Sequence, residues 1–267
     1  MRNSRQKRAM AAFSAAVVLA VAALALAGAV CGMRQRAAAC DPAPAAKDAL
    51  SPAAFLPAAF GLCGAEAEAG GGVQADADGF PVVDWGYWQG VNPSVVGWIT
   101  VPGTSVNGPI ALAPASDPGY YLAHDVYGEP NLYGCLYLDA SCAAGGLLGS
   151  RNAVVLGHNM SLMDGGMFTA LARYADASFA ASHAEVLVQT PDEKRVCPVL
   201  FASVVDASKE TARTQFEGDA DFAAWYGGQM ARASTVLRRE TPESVVTLCT
   251  CSYSRWSNER TLVFVGK

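Results

Sequence analysis

From about residue 81 to the end of the chain, short apolar runs alternate with turn signals: "GWITVPGTSVNGPIAL", "GCLYLDA", "NAVVLGHNM", "AEVLVQTPDEKRVCPVLFASVVDAS", "ESVVTLCTC" and "RTLVFVGK". Each run is rich in Val, Ile, Leu, Tyr or Phe and is bounded by Gly, Pro, Asn or Asp, which is a strand signature. "TPDEKR", between two such runs, reads as a hairpin loop. Several strands at this spacing predict a mainly β domain, a barrel or a sandwich. Three segments carry helical spacing instead. "DWGYWQGVNPSVVGW" predicts a short helix and an Asn-Pro turn, with Trp85, Trp88 and Trp98 as core surface. "DGGMFTALARYADASFAASH" spaces Met167, Phe168, Leu171 and Tyr174 at helical intervals, and "DADFAAWYGGQMARAST" does the same with Phe222, Trp225, Tyr226 and Met230. Such stripes are packing faces far more often than cofactor contacts. The pattern shows no internal repeat. It predicts one β-barrel with helices at its start and inserted between strands.

The pattern differs ahead of residue 81. Residues 1–8, "MRNSRQKR", hold four basic side chains and no acid, and residues 9–33 carry no charge. An apolar run of that length suffices to cross a bilayer, which takes about 20 residues. Basic residues in front of it favour keeping that end in the cytoplasm. A cleaved signal peptide has a shorter apolar core, about 7–15 residues. A lipoprotein reading at Cys31 meets Val30, where a small Gly or Ala is expected. Residues 9–33 are therefore expected to form an uncleaved single-pass anchor, with everything after it outside the cell membrane. Residues 34–80, mostly Ala, Pro, Gly and acid, read as a linker that seldom recovers its ordering entropy. The folded domain is expected over 81–267.

Charge and cysteine content then narrow the function. The net charge is −5 and no Lys/Arg cluster lies beyond the N-terminus, which sets nucleic acid aside as a partner. The eight cysteines are scattered and do not resemble a disulfide scaffold. Cys135 with Cys142, and Cys40 with Cys63, are open pairings. Cys249 and Cys251, one residue apart on a strand, are expected to face opposite ways. Of the three histidines, His124 follows "YYLA" in a loop and His183 sits near a predicted helix end. His158 ends the run "AVVLG", where a strand delivers its side chain to a barrel rim.

The run "SVVTLCTC" places Cys251 at its last position, again at a rim, and "RTLVFVGK" returns beginning with Arg260. If those strands pair, the two residues share an edge. A cysteine nucleophile needs a proton partner, a donor for the developing oxyanion and partial exposure. Cys251, His158 and Arg260 supply the three, and arginine suits the oxyanion because its planar fork stays charged. A zinc site from Cys249, Cys251 and His158 is the competing reading, although structural zinc usually takes cysteines spaced by two to four residues and four ligands in all.

At these residues the chain resembles the sortases, the cysteine transpeptidases of Gram-positive cell surfaces. "TLCTC" resembles their TLxTC signature, "VVLGHNM" their strand-borne histidine and "RTLVFVGK" their last strand with its arginine. "NPSVVGWITVPGTSVNGPIAL", "YYLAHD", "GCLYLD" and "GHNMSLMDGGMFTALARYADASFAASH" extend the resemblance to class B sortases, over residues 84–267. It implies a closed barrel of about eight strands with N-terminal helices and a helix between the sixth and seventh strands. It implies that Cys251 attacks a C-terminal sorting motif of a secreted protein and forms a thioacyl-enzyme. His158 then acts as general acid and base, and Arg260 holds the carbonyl oxygen. The acceptor would be an amine of the cell-wall precursor or a pilin lysine, and no cofactor or metal is implied. Leu122, Cys249, Thr250, Ser252 and Tyr253 match groove positions. Two departures stand out: Cys249 where relatives often carry Ser, and "SYS" after the nucleophile where an acid is common. Asn159, adjacent to His158, is not expected to act as a histidine–asparagine relay. A hydrolytic cysteine endopeptidase and a non-catalytic surface module remain as alternatives.

Overall fold

The computed structural model describes residues 74–161, 165–208, 213–252 and 258–267. The expected basic segment, the apolar anchor, the linker up to residue 73, Cys40, Cys63 and Tyr253 lie outside the described residues. Among the described residues no helix is long and apolar enough to cross a membrane.

Nine strands appear among the described residues: β1 (Val95–Thr100), β2 (Asn107–Leu112), β3 (Leu136–Leu138), β4 (Asn152–Leu156), β5 (Glu185–Gln189), β6 (Lys194–Asp206), β7 (Thr235–Val236), β8 (Val245–Cys251) and β9 (Glu259–Gly266). Their order is β5-β1-β2-β3-β4-β8-β9-β6-β7, and a further β5–β6 pairing closes eight of them into a barrel. The two-residue β7 pairs with the middle of β6, at Phe201 and Ala202. β2–β3 and β4–β8 pair in parallel and the other neighbours are antiparallel. The predicted "TPDEKR" hairpin joins β5 to β6, with Gln189 opposite Lys194 and Thr190 N–H donating to Glu193 O at 2.8 Å.

The helices are α1 (Trp85–Val91), α2 (Gly146–Gly149), α3 (Ala177–Ser182) and α4 (Asp219–Ala231), the last between the sixth and seventh strands as expected. α1 begins where the Asp84 carboxylate accepts from Tyr87 N–H, a side-chain cap. The helical spacing read over residues 164–183 resolves into two pieces. A 3-10 turn covers Thr169–Ala175, and α3 starts after Asp176. Asp176 is extended and its carboxylate accepts from Phe179 N–H, so it ends one piece and caps the next.

Alternation along the strands sorts the apolar residues into three cores. The barrel interior holds Ile99, Ile110, Val155, Val188, Val246, Leu248, Val263 and Val265, with Phe168, Leu171 and Tyr174 of the 3-10 segment packed in. On the outer face, α1 covers one patch, where Trp88 meets Trp98, Ala111 and Tyr137. α4 covers a second, where Phe222 and Tyr226 meet Phe201, Leu262 and Phe264. Leu156 of β4 borders the first outer patch and Cys249 of β8 borders the second. These two are register partners. The outer strip of β4 and β8 is thus the seam between the two covers, and it leads to the rim where β8 ends.

Candidate active site

The β8–β9 register pairs Cys251 directly with Arg260. The parallel β4–β8 register ends with Leu156 beside Cys249, and two residues further along the same direction His158 comes level with Cys251. The ladder continues past the strand end: Gly157 N–H donates to Cys249 O at 3.2 Å, and Thr250 Oγ1 donates back to Gly157 O at 2.9 Å. Sulfur, imidazole and guanidinium are therefore carried by three adjacent strand ends at one rim. All three residues are half-buried, which leaves them access to solvent.

One expectation about this strand is corrected. Residues i and i+2 share a face. Val246 and Leu248 point into the barrel, so Cys249 and Cys251 both point outward. They remain separate free thiols. A second correction concerns Thr250. It is 1% exposed, and its hydroxyl is spent on Gly157 O inside the barrel, so its side chain does not line the groove. Ser252 is also buried, with its N–H on Glu259 O at 3.0 Å. The open pairing of Cys135 with Cys142 does not form: Cys142 keeps a free thiol that donates to Asn152 O at 3.6 Å.

Space at the rim is tight. A Cβ added at Gly157 would lie 2.5 Å from Leu136 Cδ2 and 2.9 Å from Phe168 Cδ2. Glycine there lets the backbone just before His158 lie against the packed interior. Beyond it the chain turns and pairs Asn159 with Met167. Met167 is left-handed at φ 54°, a conformation that costs a non-glycine residue roughly 1–2 kcal/mol. Phe168 N–H to His158 O at 2.9 Å and Met160 N–H to Thr169 Oγ1 at 2.6 Å hold this turn.

The imidazole of His158 is oriented by backbone. Its Nε2 lies 2.8 Å from Leu122 O. A carbonyl only accepts, so Nε2 carries the hydrogen and Nδ1 is the nitrogen left for proton exchange. Leu122 closes a 3-10 turn, Tyr120–Leu122, that is itself anchored. Cys135 N–H donates to Tyr121 O at 2.9 Å, Asn131 N–H to Ala123 O at 2.8 Å, and Asn92 Nδ2 to the Tyr121 hydroxyl at 2.9 Å. The Leu122 side chain stays 44% exposed beside the site. His124 stacks on Tyr120 with ring centroids 4.0 Å apart and braces this turn. His183 stacks on Phe179 and donates from Nδ1 to Phe179 O at 2.9 Å, at the end of α3.

Arg260 and Cys249 border a pocket of about 170 Å³ between the barrel and α4, walled by Leu156, Val205, Trp225, Leu262 and Phe264. Burial pushes the Cys249 thiol up to about 12, against the pull of the Arg260 guanidinium. Cys249 is thus a neutral, apolar wall group at physiological pH. Among the described residues no group of three His, Cys, Asp or Glu side chains is arranged to hold a metal ion.

One residue escaped the sequence reading, and a second, Asn159, is set aside there as a relay. Asn152, 1% exposed at the start of β4, accepts from Thr247 Oγ1 at 2.7 Å and donates from Nδ2 to Arg213 O at 2.7 Å, which ties the segment before α4 to the barrel. Asn159 donates from Nδ2 to Cys251 O at 2.8 Å. Its place after the histidine was visible in "GHNM", but the cross-strand partner, 92 residues away, was not.

Comparison with known proteins agrees with this fold. No family model matches the chain. Sortase B of Listeria monocytogenes is 24% identical over 181 residues, covering 67% of this chain and 71% of that protein. Sortase B of Staphylococcus aureus is 26% identical over 180 residues, covering 66% and 71%. Among solved structures, a Bacillus anthracis protein described as similar to sortase B has a TM-score of 0.60 at 26% identity, covering 68% of this chain and 80% of that one. A Staphylococcus aureus sortase B–substrate complex has a TM-score of 0.60 at 23% identity, covering 68% and 82%, a likeness of fold.

Proposed function

We propose that the chain is a class B sortase, a cysteine transpeptidase that cleaves a C-terminal sorting motif of secreted proteins and joins the new end to an amine. The register that sets Cys251 against Arg260, with His158 level beside them, is the observation that carries this reading. The Cys251 thiol passes its proton to His158 Nδ1 as its sulfur attacks the scissile carbonyl carbon, and the carbonyl oxygen takes the charge against the Arg260 guanidinium. His158 gives a proton to the departing amine as the C–N bond breaks, leaving a thioester on Cys251. An incoming amine then attacks the thioester, His158 takes its proton, and the Cys251 thiolate leaves and regains that proton from His158. The Nε2–H bond to Leu122 O supports Nδ1 as the nitrogen that exchanges these protons.

The donor peptide runs along the seam over β4 and β8, beside Leu122, and places an apolar side chain in the pocket walled by Cys249 and Trp225. The acceptor is a peptidoglycan-precursor amine or a pilin lysine. The uncharged segment 9–33 behind the basic residues 1–8 supports a single-pass anchor that holds the domain outside a Gram-positive membrane, next to both substrates.

The test is a library of C-terminal peptides incubated with the full-length chain, with and without triglycine or a lysine-bearing acceptor. The expected results are a thioester adduct on Cys251 by mass spectrometry and a ligated product only when amine is present. Cys251→Ala should remove both, and Arg260→Ala should slow turnover by about 10²–10³-fold, the usual loss of an oxyanion donor. Release of hydrolysed peptide alone, with every amine tried, would make the chain an endopeptidase.

A further inference from the structure

We propose that Asn159 is a positioning residue for the nucleophile: its side-chain amide replaces a backbone rung and holds the carbonyl of Cys251. Parallel pairing of β4 with β8 delivers Gly157 N–H to Cys249 O at 3.2 Å, and the next rung of that ladder falls between residues 159 and 251. By then the backbone has turned away to pair Asn159 with Met167 and to bring Phe168 N–H onto His158 O. The rung is made instead by Asn159 Nδ2, 2.8 Å from Cys251 O. The amide cannot be turned the other way round, because its Oδ1 accepts Ser161 N–H at 3.0 Å. Cys251 sits at the last position of β8. Its opposite flank is held by pairing with Arg260 and by Ser252 N–H on Glu259 O at 3.0 Å. Asn159 is the matching restraint on the β4 side.

The consequence is geometric. Consecutive residues, His158 and Asn159, carry the imidazole and the clamp, so the sulfur and the ring are located relative to one short piece of backbone. Loss of the clamp frees the end of β8 to slide against His158, and a misplacement of about 1 Å costs on the order of 10²-fold in rate. Binding of the donor peptide along the seam does not depend on this rung. The loss should therefore fall on kcat and leave KM nearly unchanged.

The inference rests on the transpeptidase reading for its kinetic arm but not for its structural arm. In ¹⁵N NMR of the full-length chain, the Asn159 Nδ2 protons should show contacts to Cys251 and Ser252 and slow exchange, whether or not any peptide is turned over. A freely exchanging, contact-free amide would overturn the clamp without touching the assignment of function. In kinetics, Asn159→Ala should lower kcat about 10²-fold at nearly constant KM. Asn159→Asp keeps the shape but sets a carboxylate against Cys251 O. Its kcat relative to the unmodified chain should rise on acidification, as a protonated carboxyl regains a donor. Equal kcat for the Ala variant, or a ratio for the Asp variant that stays flat with pH, would refute the proposal. The Asp variant keeps the test decisive if the Ala variant does not fold.

Discussion

Gly157→Ala tests the link between barrel packing and the site. The added Cβ would stand 2.5 Å from Leu136 Cδ2 and 2.9 Å from Phe168 Cδ2. Leu136 is 2% exposed and Phe168 fully buried, so neither can swing into solvent. Relief to an ordinary contact near 3.5 Å needs a movement of about 1 Å, and overpacking of this kind costs about 1–3 kcal/mol. For a domain of this size each kcal/mol lowers Tm by about 2–4 °C, so a 2 kcal/mol cost lowers it by about 4–8 °C. If the backbone gives way instead of the core, the shift passes directly to His158, and kcat should drop about 10²-fold. Gly227→Ala is the control: nothing lies within 4 Å of that Cβ position on α4, and alanine should raise helix stability by up to about 1 kcal/mol. Thermal melts by circular dichroism and steady-state peptide kinetics read the two outcomes. A Gly157→Ala protein with unchanged Tm and unchanged kcat would refute the packing argument at its root.

Three further outcomes are expected. Asn152→Ala leaves the Thr247 hydroxyl and Arg213 O without their partner, so denaturant melts should show a loss of about 1–3 kcal/mol; a loss under 0.5 kcal/mol would mean that water replaces the side chain. Iodoacetamide at pH 8 should alkylate Cys251 faster than Cys249, a half-buried thiol that desolvation pushes up to about 12; equal labelling of the two in peptide maps would contradict that upward shift. The Asp221 carboxylate accepts Glu217 N–H and pairs with Arg213, and these hold it below the usual carboxylate range. A depressed folded-state pKa contributes stability above the unfolded value and loses it as pH falls through the folded one. Asp221→Asn should therefore destabilise at neutral pH and converge with the unmodified chain as the solution is acidified, measured as Tm against pH. A constant difference across that range would assign the effect to something other than ionisation.

Much of this molecule was legible in one dimension. Strands, hairpin and helices declare themselves through local periodicity and turn residues, because burial of one face acts on residues two or three to four positions apart. The segments carrying Cys251, His158 and Arg260 each end or begin a strand, and short motifs of that sort survive in the sequence as patterns. The mistake over Cys249 was of the same local kind, since a period of two already places it beside Cys251 on the outer face. What tertiary structure alone decided is the partnering between distant segments. Which side of the ladder Thr250 occupies follows from β8 lying between β4 and β9 in a closed barrel. Leu122 O meets His158 only because the β2–β3 connection folds over the rim, and Asn159 meets Cys251 only because β4 and β8 run parallel. Hydrogen bonds of that range depend on register and closure, quantities set by the whole sheet at once, and a sequence of side chains read singly carries no mark of them.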